Sequence, residues 1–309
     1  MAMLLAILVA YLFNFRMAAD QMFKQPATLV FKPQLGNALN DSSLVVGVEY
    51  NGQVKAYPIR FIGYHHQVQD IIGGKPVIVT YCTVCRTGRV FEPTVKGKQE
   101  KFRLVGMDHF NAMLEDETTK SWWRQVNGEA VTGLLKGETL PELESFQMSI
   151  GTLFKLYPHA MVMQADEVAV EDVKYDSLAK YERGKSKGDL TRTDTLSWKD
   201  NSWVIGIEVN SASKAYDWIE TKEQKIVNDI IGNTPVVIAI SADGQGFAAF
   251  KRSAARVQFS IRNDSLISST HSYSFNGIGK NAGRLQRVKA YQEFWHSWKT
   301  FHPQTQRFH

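Results

Sequence analysis

Cysteine is nearly missing from this chain. Two in 309 residues exclude a fold stapled by several disulfides. A clustered basic run is missing too: Lys and Arg number 36 against 31 acidic residues, a net charge of +5. Proteins that track phosphates need a concentrated basic face, so nucleic acid is not an expected partner. No Gly-x-Gly-x-x-Gly, Walker loop or Gly-x-Ser-x-Gly occurs, which leaves nucleotide binding and α/β-hydrolase chemistry without support. With 44% hydrophobic and 22% charged residues, the chain is neither a disordered acidic tail nor a multi-span membrane protein.

Long hydrophobic runs are also lacking. The longest, residues 1–15, is broken only by Asn14 and is followed by Arg16. It falls short of the roughly 20 residues that span a bilayer. A buried core helix would account for it, as would a signal-peptide core or a membrane helix whose upstream turns lie outside this sequence. We expect residues 1–20 to form an N-terminal membrane segment or signal anchor, with a transmembrane helix. The bulk of the chain would then lie on the extracytoplasmic, periplasmic side of the cell membrane.

What the chain does contain is a repeat. Residues 44–91 align without a gap on residues 203–250, with 15 of 48 positions identical. Several differences within the strand-like runs exchange Val for Ile, and a match at constant offset argues for duplication. Each copy then reaches an Asn-Gly (127–128, 276–277) and an aromatic-rich stretch ending in Pro (145–158, 290–303) that reads as helical. Within a copy, period-two alternation dominates. Residues 45–50 and 53–57 flank an Asn51-Gly52 turn, a strong hairpin signal. Residues 58–69 read as a short helix or irregular connection, and 76–81 as a buried strand. Residues 89–94 and 100–105 read as a second hairpin around 95–98. The expected fold is α+β, mainly β: two tandem copies of a small antiparallel β module with packing helices. These occupy 40–165 and 203–309, joined by a charged linker at 166–202.

Duplication makes each copy a control for the other. Asn51, Lys55, Tyr57 and Asp70 recur as Asn210, Lys214, Tyr216 and Asp229 and so serve the shared scaffold. Cys82-Thr-Val-Cys85 instead falls on Ser241-Ala-Asp-Gly244. His65 falls on Gln224, His66 on Lys225, Arg86 on Gln245 and Arg89 on Ala248. The second copy therefore reads as a scaffold without the site.

Two residues between thiols let both sulfurs face one point. Three chemistries use that spacing. A soft metal, copper or zinc, would take Cys82 and Cys85, with His65 as third ligand and His109 as a weaker fourth. Thiolate and imidazole donors, with Met107 and Met113 beside His109, suit those ions. A thiol–disulfide redox protein would use the same cysteines, with Arg86 and Arg89 supplying positive charge. Its pair is followed by Arg-Thr-Gly and a strand, so the field of a helix N-terminus is missing. A non-catalytic binding module would carry the pair as a structural disulfide, whose short loop adds little stabilisation. The metal reading leads and the other two stay open. Trp122-Trp123 reads as packing, Glu115-Asp116-Glu117 as a solvated turn, and His296 and His302 as surface or packing residues.

Ala56-Tyr57-Pro58, His65, Asp70, Ile72-Gly73-Gly74 and Thr80-Tyr81-Cys82-x-x-Cys85 follow in the order seen in a bacterial domain-of-unknown-function family, number 3179, which the chain resembles. Trp123-Arg-Gln125 and Gly128-Glu-Ala130 match its later pattern. The resemblance is tight over residues 40–165 and looser beyond. Tyr64 departs from the usual Trp before the His, and Arg86 from the small residue that often follows the second Cys. The resemblance implies a signal peptide or membrane segment and a site at the cysteines. It names no reaction.

Overall fold

A computed structural model describes residues 2–166 and 175–308 of the chain. Strand accounts for 41% and helix for 18%, in several sheets, so the mainly-β reading holds. Asn51 and Gly52 take φ of +48° and +77°, the left-handed geometry that lets a two-residue turn match the twist of its strands. Leu44–Tyr50 pairs with Gln53–Pro58 across that turn, and the helix Ile59–His65 follows. Gln67–Ile72, Lys75–Cys82 and Thr87–Phe91 then form a three-stranded antiparallel sheet. The second half contains, in order, the hairpin Trp203–Val209 and Ala212–Asp217, the helix Trp218–Gln224, and strands Ile226–Ile231, Thr234–Ile240 and Phe247–Lys251.

The halves share a sheet. Eight strands run continuously from Phe31–Lys32 at one edge to Ile226–Ile231 at the other, joined in the middle where Gln147 faces Phe247. The aromatic-rich stretches are helical only in their second parts. Ser145–Ser149 is a strand before the helix Ile150–Leu156, and Lys289–Phe294 is a strand before the helix Trp295–Phe301. Both strands pair with the first strand of a hairpin, and the middle residue of that strand is glycine. A Cβ on Gly47 would lie 2.0 Å from the Phe146 ring, and one on Gly206 2.2 Å from the Trp298 ring. Only a bare backbone lets those rings settle on it. The expected hairpin around 95–98 shrinks to Thr94–Val95 against Lys98–Gln99. Its flanking strands go to different sheets, because Pro93 has no N–H with which to continue a ladder.

At the N-terminus, Ala2–Tyr11 is an α-helix of 10 residues followed by a π-helical turn, Leu12–Arg16. Its apolar side chains, among them Leu4, Leu5, Ile7, Leu8 and Phe13, are exposed, so the core-helix alternative is not adopted. No helix among the described residues is long and apolar enough to cross a membrane, which corrects the expectation of a transmembrane helix. Ten residues rise about 15 Å, half of the hydrocarbon thickness. In the expected linker, residues 167–174 lie outside the described residues. The helix Tyr175–Glu182 is not simply solvated: Tyr175 and Tyr181 are buried in the core cluster around Phe61, and Glu182 pairs with Arg60 at 2.9 Å.

Candidate functional site

Cys82 ends the strand Lys75–Cys82, and Cys85 precedes a tight reversal in which Arg86 sits at φ +57° before the next strand. Both are free thiols, 1% and 0% exposed, in an apolar cluster with Ile78, Phe91 and Trp123. Both sulfurs lie within hydrogen-bonding distance of the Phe110 carbonyl, at 3.4 and 3.3 Å. Asn111 Nδ2 approaches the Cys85 sulfur at 3.7 Å and also donates to Gln125 Oε1 at 2.9 Å. Gln125 in turn donates to Thr80 Oγ1 at 3.0 Å, which fixes this polar ladder against the strand carrying the cysteines.

The two thiols are unlike. The hydrogen bond from Cys85 holds the Cys82 pKa below the ordinary thiol range, despite burial. The backbone N–H groups of Cys85, Ala112 and Val84 add to that effect. These donors supply part of the help that a helix N-terminus would give a thiolate. Cys85 is pushed up by its bond to Cys82, by burial and by the Cys82 charge. The pair therefore gives up its first proton from Cys82.

The second half does not merely copy the scaffold; its last strand and helix complete the site. The Phe294 N–H donates to the Cys85 carbonyl at 2.9 Å, and His296 Nε2 to the Val84 carbonyl at 3.0 Å. Glu293 is fully buried. Its Oε1 accepts from Arg89 Nη2 in a short ion pair and from Thr87 Oγ1 at 3.0 Å, while Ser297 Oγ donates to Oε2 at 2.9 Å. Arg89 lies over the Tyr291 ring at 3.2 Å, and its Nε donates to the Val126 carbonyl at 2.9 Å. Glu293, Ser297 and Tyr291 were not among the sequence candidates. The one available signal was a carboxylate in Lys289–Phe294 where the similar stretch of the first half has Met148.

Arg86 serves a different purpose from the one expected. Its guanidinium stacks 3.4 Å over Trp203 and donates to the carbonyls of Tyr181 and Glu182. The histidines are also engaged elsewhere. His65 Nδ1 donates to the Lys24 carbonyl at 2.5 Å and its Nε2 accepts from the Tyr175 hydroxyl at 2.7 Å, so both ring nitrogens are used. His109 is exposed and bonds Asp108 at 2.6 Å; it is the neighbouring Phe110 carbonyl that reaches the sulfurs. Among the described residues, no three His, Cys, Asp or Glu side chains group as a metal ion would require. Cys82, Cys85, His65 and His109 thus do not form a ready four-ligand set. Trp123 is buried packing whose Nε1 donates to Asp116; Asp116 is itself buried and takes the N–H groups of Thr119 and Ser121.

A cleft of about 320 Å³ opens beside the cysteine turn, lined by Val84, Phe110, His296, Leu190 and Lys299 among others. Taken together, a strand-rich chain whose two halves clasp one buried Cys-x-x-Cys defines the class. The sequence matches the family described as protein of unknown function DUF3179 over residues 26–305, and the chain belongs to that family. The match, like the site, spans both halves. No curated protein and no solved structure matches the chain.

Proposed function

We propose that the chain is a dithiol–disulfide redox protein in which Cys82 attacks an incoming disulfide and Cys85 closes on it. The unlike environments of the two thiols carry this reading. One sulfur is favoured as thiolate by N–H donors, and the other is held protonated until the first has reacted. A copper or zinc ion would find the same two sulfurs but no convergent third His, Cys, Asp or Glu side chain among the described residues. The test is equilibration of the full chain in thiol–disulfide buffers. A reversible potential within about −120 to −270 mV, the span of exchange catalysts, is expected. A potential below about −300 mV would indicate a structural staple instead. Stoichiometric copper or zinc on the reduced protein, lost in Cys82→Ser/Cys85→Ser, would restore the metal reading.

The two halves are, in this reading, copies of one module. Met148 faces Val45 and Glu293 faces Val204, positions that the sequence repeat equates. The N-terminal helix anchors the chain in the outer face of the cell membrane, with the cysteines in the periplasm. Its exposed apolar side chains support this, since lipid is the cover they lack. Full-length protein is expected to float with phospholipid vesicles, and Leu5→Glu/Leu8→Glu to stay in the aqueous fraction. Equal flotation of both would remove the anchor.

A further inference from the structure

Cys82 and Cys85 are buried, so a disulfide of another molecule reaches neither sulfur in the geometry described above. Something over them must move. Most of their surroundings is core: Ile78, Phe91 and Trp123 are buried in strands, and the Phe294 N–H and His296 bond the cysteine turn itself. The exception is the tip of the hairpin made by Phe102–Asp108 and Asn111–Asp116. His109 and Phe110 form its two-residue turn, and the Phe110 carbonyl lies 3.4 and 3.3 Å from the two sulfurs. Little packing holds that turn down. The His109 side chain is exposed, and Phe110 is 54% exposed.

Its backbone is strained as well. His109 and Phe110 take φ of +49° and +66°, and a bulky side chain in that left-handed region crowds the following carbonyl. Other turns of this shape in the chain carry Asn or Gly: Asn51-Gly52, Gly73-Gly74, Lys96-Gly97, Asn210-Ser211 and Asn263-Asp264. Among the described residues, the turn over the thiols is the exception. Its two ends are pinned. Asp108 Oδ2 accepts from Arg124 Nε at 2.6 Å, and the buried Asn111 accepts the Val126 N–H at 3.0 Å and donates to Gln125 at 2.9 Å. The strain therefore falls on the two residues between fixed posts. We infer that the His109–Phe110 turn is a gate over the dithiol, closed when its carbonyl rests on both sulfurs and opened by release of those two residues to admit a disulfide. Stored strain lowers the cost of opening, and such lids are drawn from weakly held segments. Val84 and Phe110 line the cleft of about 320 Å³ beside the turn, so an open gate joins that cleft to the sulfurs. The inference rests on the dithiol reading for its use, but the motion can be measured without any exchange.

Reduced full-length protein is exposed to iodoacetamide at fixed pH, and alkylation of Cys82 is followed by mass in the wild type, Phe110→Asn and Phe110→Val. Both substitutions remove the ring and leave side chains of similar size. Asn tolerates the left-handed region, whereas β-branched Val does not. Cys82 is expected to react about tenfold more slowly in Phe110→Asn than in Phe110→Val, the worth of one residue's left-handed penalty. In the wild type the rate should stay flat at low urea, because release of two residues exposes little surface. Equal rates in the two variants, or a wild-type rate that climbs with urea as global unfolding does, overturns the gate. The wild-type urea profile decides this even if Phe110→Val does not fold. Alkylation needs no disulfide, so the two failures are distinct. Equal labelling beside a reversible potential removes the gate and keeps the dithiol reading; a potential below the exchange range removes that reading, and the gate's purpose with it.

Discussion

Arg89→Ala is expected to lower the unfolding free energy by about 3–5 kcal/mol, and Glu293→Met by a similar amount. Each single change leaves a fully buried charge facing its missing partner. Arg89→Ala strands the Glu293 carboxylate with only the hydroxyls of Thr87 and Ser297. Glu293→Met strands a guanidinium whose remaining partners include the Thr87 hydroxyl and the carbonyls of Val126 and Gly88. The double variant, which installs the apolar residues that stand at the aligned positions Ala248 and Met148, should recover a large part of the loss because neither member of the pair is left buried as a charge. Some deficit remains, since Arg89 also packs on Tyr291. Urea unfolding of the four proteins measures a coupling of about 2 kcal/mol or more between the sites. Costs that simply add would show that the pair is not one unit.

The second large effect separates the cysteines. Cys82→Ser removes the nucleophile, and thiol release from an organic disulfide should fall by more than about a hundredfold. The Cys85 thiol that remains is pushed up by its burial, so little of it is thiolate. Cys85→Ser should behave differently. The first exchange survives, slowed by loss of the Cys85 hydrogen bond that favours the Cys82 thiolate. It then stops at a stable mixed disulfide, visible as a single adduct by intact mass. Identical behaviour of the two variants would remove the asymmetry on which the proposed chemistry depends.

Local features were legible in the sequence. The Asn51-Gly52 hairpin, the buried strand entering the cysteines and the Cys82–Cys85 turn all rest on signals a few residues long, and all stand where the sequence places them. The site's outer half was not. Glu293 meets Arg89 across 204 positions of chain, and no periodicity reports a contact at that range. The stretch 290–303 reads as one helix because its aromatic spacing suits 3.6 residues per turn, but pairing with Trp203–Val209 draws its first part into a strand. His65 stands close to the cysteines in sequence. Tyr175, 110 positions away, takes the lone pair that a metal would need. In each case a local pattern was overruled by a partner from a distant segment.

The clasp of the last strand over the cysteine turn has a consequence for biosynthesis. The thiols leave the ribosome about two hundred residues before Glu293, His296 and Ser297 exist. At about 5–20 residues per second, the pair waits some 10–40 s without its C-terminal cover. During that interval the nascent chain offers two bare sulfhydryls to any passing oxidant or transition metal. A protein stopped short of its final strand would remain in that open condition permanently.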